Sequence, residues 1–304
     1  MDNFLLIAIC VFAGVIFKKY HPLPKDAHKI LNLWIIYVAL PCVSLKYIPS
    51  IKWNYNLLIP ILTPIFCLIL GKLFIDLYNK FNVLDKKTRS VLFLTAALSN
   101  TSFIGFTLVS VYFGDENLNI AVICDQITFI LLSSIGLISA IKAQEHEFFD
   151  YKKVIYKILK FPPFIGFVSA IVLPLFFNLD FFNQIFSKLA ATTPPLALLS
   201  IGLQLDLSGW EKDVKHIISV VSYKLIFLPI ILILLFYLLG FKGIISQVTL
   251  FEMAMPSLLS ASVIISEYNL NVKLGNLIIG FSIVFCFITT FIWSYIIHNF
   301  ILLS

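Results

Sequence analysis

Long apolar runs alternate with short polar ones along this chain, and the apolar runs approach the roughly 20 residues a helix needs to cross a bilayer. Ten such spans can be drawn: Phe4–Lys18, Ala27–Tyr47, Leu57–Tyr78, Val91–Phe113, Leu118–Lys142, Phe164–Asn178, Phe182–Leu205, Ile217–Leu239, Ile244–Tyr268 and Leu274–His298. Spans 4 and 9 stand apart from the others. Span 4, VLFLTAALSNTSFIGFTLVSVYF, is interrupted by Ser99, Asn100, Thr101, Ser102 and Gly105. Span 9, IISQVTLFEMAMPSLLSASVIISEY, is interrupted at Pro256, with Glu252 before it and Ser257, Ser260 and Ser262 after it. Backbone polar groups at membrane depth have no water to bond, so such interruptions persist only where protein encloses them or a watery cavity meets them. Two broken spans at corresponding positions of two halves point to the binding site of a secondary transporter.

Composition fits an integral membrane protein. Of the 304 residues 60% are hydrophobic and only 12% charged, against roughly 25% charged in soluble domains, and the mean hydropathy is +0.98. The net charge of +6 does not call for a nucleic-acid partner, because the basic residues lie in the loops between spans. Lysines 18, 19, 25 and 29, then 72, 80, 86 and 87 with Arg89, then lysines 142, 152, 153, 157 and 160 follow spans 1, 3 and 5. The positive-inside rule therefore predicts a cell (plasma) membrane protein with both termini on the non-cytoplasmic face. Asp2 ahead of span 1, with no basic n-region and no small-residue cleavage site, favours a retained helix over a signal peptide.

Cys10, Cys42, Cys67, Cys124 and Cys286 all lie in apolar runs without metal-ligand spacing, and the five histidines sit at span ends or in loops. No metal, disulfide framework or cofactor is expected. No phosphate-binding GxxxxGK[ST] loop is present, nor an HExxH or Ser–His arrangement, so an ATPase is excluded and an enzyme is not expected.

The longest polar stretch, residues 143–160, reads as a cytoplasmic amphipathic linker lying on the interface or as a solvated connector. It divides the chain into residues 1–142 and 161–304, each holding five spans. Asn100 and Pro256 are 256 − 100 = 156 positions apart; at that offset Thr101 meets Ser257, Gly105 meets Ala261, Tyr112 meets Tyr268 and Leu118 meets Leu274. An odd number of spans per unit makes the repeats inverted. The predicted fold is all-α: ten transmembrane helices as two inverted five-helix repeats, with broken helices 4 and 9 crossing near the midplane.

These residues carry a resemblance. SNTSFIG followed by YFG, Asp125 in span 5, Pro194–Pro195 leading into LLSIGLQL, and AMPSLLSASVIISEYN are similar to the auxin efflux carrier family, over nearly the whole chain. That resemblance implies a scaffold of spans 1, 2, 6 and 7, with Pro41, Pro194 and Pro195 shaping its wall. It also implies a transport domain of spans 3–5 and 8–10 carrying the crossover, and organic-anion substrates such as auxins or dicarboxylates. The family commonly writes N-T-G-F-I-G-L-P in span 4, where this chain has Ser102 and Thr107 in place of the first glycine and the proline. Span 4 is therefore expected to break less sharply than span 9.

The expected function is a secondary active carrier for a small organic anion, a carboxylate, working by elevator-type alternating access and driven by a proton or the membrane potential. A discontinuous helix presents unpaired N–H groups and positive dipole charge where its second half begins. Asn100, Thr101, Ser102, Gly105, Pro256, Ser257 and Ser260 are the candidate substrate-binding residues; the competing reading is that small polar residues let helices pack closely. Asp125, Glu252 and Lys224 lie inside spans, where a charge costs roughly 2.5 to 3.5 kcal/mol on insertion scales, and are candidates for coupling. Glu252, one turn before Pro256, reads as a proton carrier. Lys224 could pair with Asp125 or Glu252, or snorkel to the cytoplasmic end. Trp34, Trp53, Trp210 and Trp293 are expected at interfaces, and Lys72 with Asp76 reads as an interfacial ion pair. A sodium-coupled bile-acid-type symporter, which shares the inverted plan, and a non-transporting membrane sensor are the alternatives. Partners are the substrate anion and the lipid bilayer, with a homodimer left open and no nucleic acid.

Overall fold

The computed structural model describes residues 2–20, 24, 27–50, 54–144, 152, 155, 156, 159–204 and 208–302. Much of the linker, together with Lys25, Trp53, His21 and His146, lies outside the described residues. The described chain is helical, with one isolated antiparallel bridge and no strand. Its helices are α1 (Asp2–Tyr20), α2 (Ala27–Tyr47), α3 (Tyr55–Phe81), α4 (Lys86–Ala97), α5 (Thr101–Phe113) and α6 (Asp115–Lys142). They continue as α7 (Pro162–Leu175), α8 (Asn183–Leu203), α9 (Val214–Leu239), α10 (Gly243–Met253), α11 (Ala261–Glu267) and α12 (Val272–Leu302). Six of these, α2, α3, α6, α8, α9 and α12, are long and apolar enough to cross a membrane, and α5 and α7 are shorter apolar helices.

The chain forms two compact units. One takes residues Met1–Trp53, Ser102–Val122 and Leu159–Leu205; the other takes Asn54–Thr101, Ile123–Ile158 and Asp206–Ser304. Inside the first, α1 and α8 approach backbone to backbone. A Cβ added at Gly202 would meet Val11 O at 2.3 Å, and one at Gly14 would meet Gly202 Cα at 2.8 Å, so only glycine fits at either position. Gly166 of α7 meets Pro41 of α2 in the same way. Pro194 and Pro195 open the second half of α8, after a turn at Ala191 and Thr192, where a first helical turn needs no proline N–H. In the second unit Gly71 of α3 packs on Ala97 of α4. Each of these approaches lies within one unit.

Two long helices carry a widened π-turn just ahead of a proline, at Ile35–Ala39 before Pro41 and at Tyr223–Phe227 before Pro229. Proline cannot donate to the carbonyl four residues back and crowds it. For Pro229 that carbonyl is Leu225 O, and Trp293 Nε1 of α12 donates to it at 2.7 Å. Trp293 is therefore buried and structural, not an interfacial marker. Trp34 and Trp210 are exposed; Trp34 Nε1 donates to Thr192 Oγ1 at 3.0 Å. The expected Lys72–Asp76 pair forms at 2.7 Å within α3, and Arg89 of α4 joins it at 2.6 Å.

Candidate functional site

Span 4 leaves the helix at Leu98, whose φ of −110° and ψ of 132° are extended, and span 9 leaves it after Met253. Each break exposes backbone groups that hydrocarbon cannot satisfy. They satisfy one another. Asn100 N donates to Pro256 O at 2.8 Å and Leu258 N donates to Leu98 O at 3.1 Å, flanking a Ser99–Ser257 antiparallel bridge. The pairing uses only the carbonyl of residue 256, so a proline there loses no hydrogen bond. Ser257 N turns away from the bridge and donates to Ser282 Oγ of α12 at 3.1 Å. Residues 91–109 and 246–259 are buried throughout, so protein encloses both breaks.

Side chains fasten the crossing. Thr101 Oγ1 donates to Asp125 Oδ1 of α6 at 2.7 Å. Lys224, in the π-turn of α9, places Nζ 2.6 Å from Ser99 Oγ, and Ser99 Oγ donates in turn to Met253 O at 3.2 Å. Asn100, Ser257, Lys224 and Glu252 are 0% exposed. Neither carboxyl oxygen of Glu252 has a hydrogen-bond partner among the described residues, nor does Ser257 Oγ. Other hydroxyls nearby bond back to their own helix, including Thr95 to Val91 O at 2.8 Å and Thr249 to Ile245 O at 2.7 Å.

Comparison with known sequences settles the class of the protein. The pattern of a family described as membrane transport protein is matched over residues 1–294. The chain belongs to that family. The expected likeness to the auxin efflux carriers holds at the level of the whole chain. This membrane transport protein is also 28% identical to an uncharacterized transporter of Methanocaldococcus jannaschii, over 98% of this chain and 99% of the relative. An uncharacterized transporter of Methanothermobacter thermautotrophicus is 26% identical, over 96% and 97% respectively.

Of the residues singled out in the sequence of this membrane transport protein, Asn100, Thr101, Pro256 and Ser257 meet at the crossing, with Asp125 and Lys224 bonded to it. Ser260 is half-buried just ahead of α11. Ser102 and Gly105 are buried, but they fall in the first compact unit, as do Pro41, Pro194 and Pro195. Span 4 breaks without the family proline: Thr107 at that position donates to Phe103 O at 3.1 Å and stays helical. Two expectations for Lys224 are corrected. It does not snorkel, being fully buried, and it lies within 4.0 Å of neither Asp125 nor Glu252. Sequence reasoning did not nominate Ser99 or Ser282. Ser99 adjoins Asn100 in the interruption, whereas Ser282 sits in an unbroken apolar helix and gives no signal.

Proposed function

We propose that this membrane transport protein is a secondary carrier for a small organic anion, a carboxylate, bound at the crossover and coupled to a proton or to the membrane potential. One observation carries the reading: a crossing of two broken helices at which Asn100 and Ser257 are fully buried, with Lys224 Nζ 2.6 Å from the adjoining Ser99 Oγ. Amide and hydroxyl donors with a nearby fixed positive charge are what a desolvated carboxylate needs. Glu252, buried with no hydrogen-bond partner, is assigned the coupling proton.

The inverted-repeat plan of ten helices is proposed with it, and the like fastening of the two breaks supports it. The two backbone bonds of the Ser99–Ser257 bridge exchange places if Leu98, Ser99 and Asn100 are mapped onto Pro256, Ser257 and Leu258. That register is 257 − 99 = 158, two longer than the offset drawn from the sequence. Each break is also held by a polar side chain from a following helix, Asp125 for Thr101 and Ser282 for Ser257, at separations of 24 and 25 residues. Elevator-type alternating access is part of the same proposal and rests on the family resemblance. Both termini are assigned to the non-cytoplasmic face on the distribution of basic loops.

The test has two parts. Purified protein is screened by thermal shift against mono- and dicarboxylates, since a ligand that binds the folded state raises its apparent stability. Protein in sodium-free vesicles is then given a pH or potential step, with uptake of any stabilising acid measured. No stabilising carboxylate would leave a sensor or another substrate class, and an absolute sodium requirement would favour the bile-acid-type symporter.

A further inference from the structure

Lys224 is fully buried, and its ammonium has no carboxylate within 4.0 Å among the described residues. A buried cation without a counter-ion is expensive, so the surrounding dipoles must compensate. Those dipoles are identifiable. α10 ends at Met253: the Leu250, Phe251 and Glu252 carbonyls accept from Ala254 N and Met255 N, the Met253 carbonyl accepts from Ser99 Oγ, and the helix end carries partial negative charge. Ser99 has a single hydroxyl hydrogen. It goes to Met253 O, so Ser99 Oγ can only accept from Lys224 Nζ. The carbonyl end of α4, at Ala97, lies two residues before Ser99. Lys224 thus reaches the C-terminal end of α10 through one hydroxyl, from a π-turn that widens α9 at that residue.

We propose that Lys224 is a tethered cation, standing where an inorganic monovalent cation would otherwise compensate the carbonyl end of the broken span. It is a positioning residue: it fixes the crossover and leaves no requirement for sodium there. The inference rests on the sodium-free coupling proposed above, but it is tested without substrate. Failure of the carboxylate reading therefore leaves it intact, and its own failure leaves that reading intact.

The experiment measures the melting temperature of the purified full-length protein in choline, potassium, sodium and lithium chlorides at one ionic strength. The wild type is expected to melt alike in all four. Lys224→Ser should melt lower in choline and regain about 3 °C in sodium or lithium but not in potassium, through binding of a small cation to the vacated place. Lys224→Gln, which preserves more of the side-chain volume, carries the same comparison if the serine variant is not recovered. Ser99→Ala keeps the ammonium and should melt lower with no cation specificity, as a merely structural contact would. A sodium-specific rise in the wild type, or a Lys224 variant that melts lower but alike in all four salts, overturns the proposal.

Discussion

Thr101 Oγ1 donates to Asp125 Oδ1 across 2.7 Å, so the first residue after the break in span 4 is fastened to an acid on α6. The bond separates two roles of Asp125, as an acceptor and as a charge. Asp125→Asn keeps an acceptor, while Thr101→Val removes the donor. A hydrogen bond to an ionised group contributes about 1.5–3 kcal/mol. Thr101→Val is expected to lower the unfolding free energy by that amount, measured by denaturant titration. Asp125→Asn should lower it less, whereas Glu252→Gln, which removes the group assigned the coupling proton, should abolish the response of vesicle uptake to a pH step.

Asn100 is fully buried and its N–H is committed to Pro256 O, so the backbone pairing does not depend on its side chain. Asn100→Leu should therefore leave the protein folded and monodisperse on gel filtration. The stabilisation of the protein by a binding carboxylate should be lost. A leucine variant that binds as the wild type does would move the site elsewhere.

Trp293 and Pro229 are coupled through Leu225 O, which the proline cannot bond and the indole does. Trp293→Phe keeps an aromatic ring but removes the indole N–H that bonds Leu225 O, with an expected cost of about 1–3 kcal/mol for that bond. Pro229→Ala supplies a backbone N–H, so the cost of Trp293→Phe should fall in that background. Equal costs in both backgrounds would show that the indole contributes packing alone.

Asp85, in the loop between α3 and α4, caps α4 by accepting from Thr88 N at 3.0 Å. Partial burial works against its ionisation, but hydrogen bonds from the Thr88 side chain and from backbone N–H groups outweigh it and hold the carboxyl below its ordinary value. A depressed carboxyl contributes stability above its unfolded value, about 3.9, that is lost as pH falls through the folded one. Asp85→Ala should cost about 1 kcal/mol at pH 7, as a lost N-cap does. The gap to wild type should narrow below about pH 4, and a pH-independent gap would contradict the capping role.

The sequence by itself determined the all-helical membrane character, the two broken spans and the presence of Asn100, Pro256, Asp125, Glu252 and Lys224 inside apolar runs. Each of these is a local violation of the cost of putting polar groups in hydrocarbon, and so it stands out without a partner being known. Which groups answer them is a matter of distance in space. The pairing of Ser99 with Ser257, the bond from Lys224 to Ser99 and the use of Ser282 by Ser257 join residues 125 or more, or 25, positions apart, and no periodicity marks them. The inward faces were equally hidden. In α3 the exposed residues Leu58, Leu62, Ile65, Ile69, Leu73 and Leu77 recur at helical spacing, but the buried face is largely apolar as well. Where lipid and protein interior are alike in polarity, hydrophobic patterning gives a helix no inner side, and only packing against its neighbours supplies one.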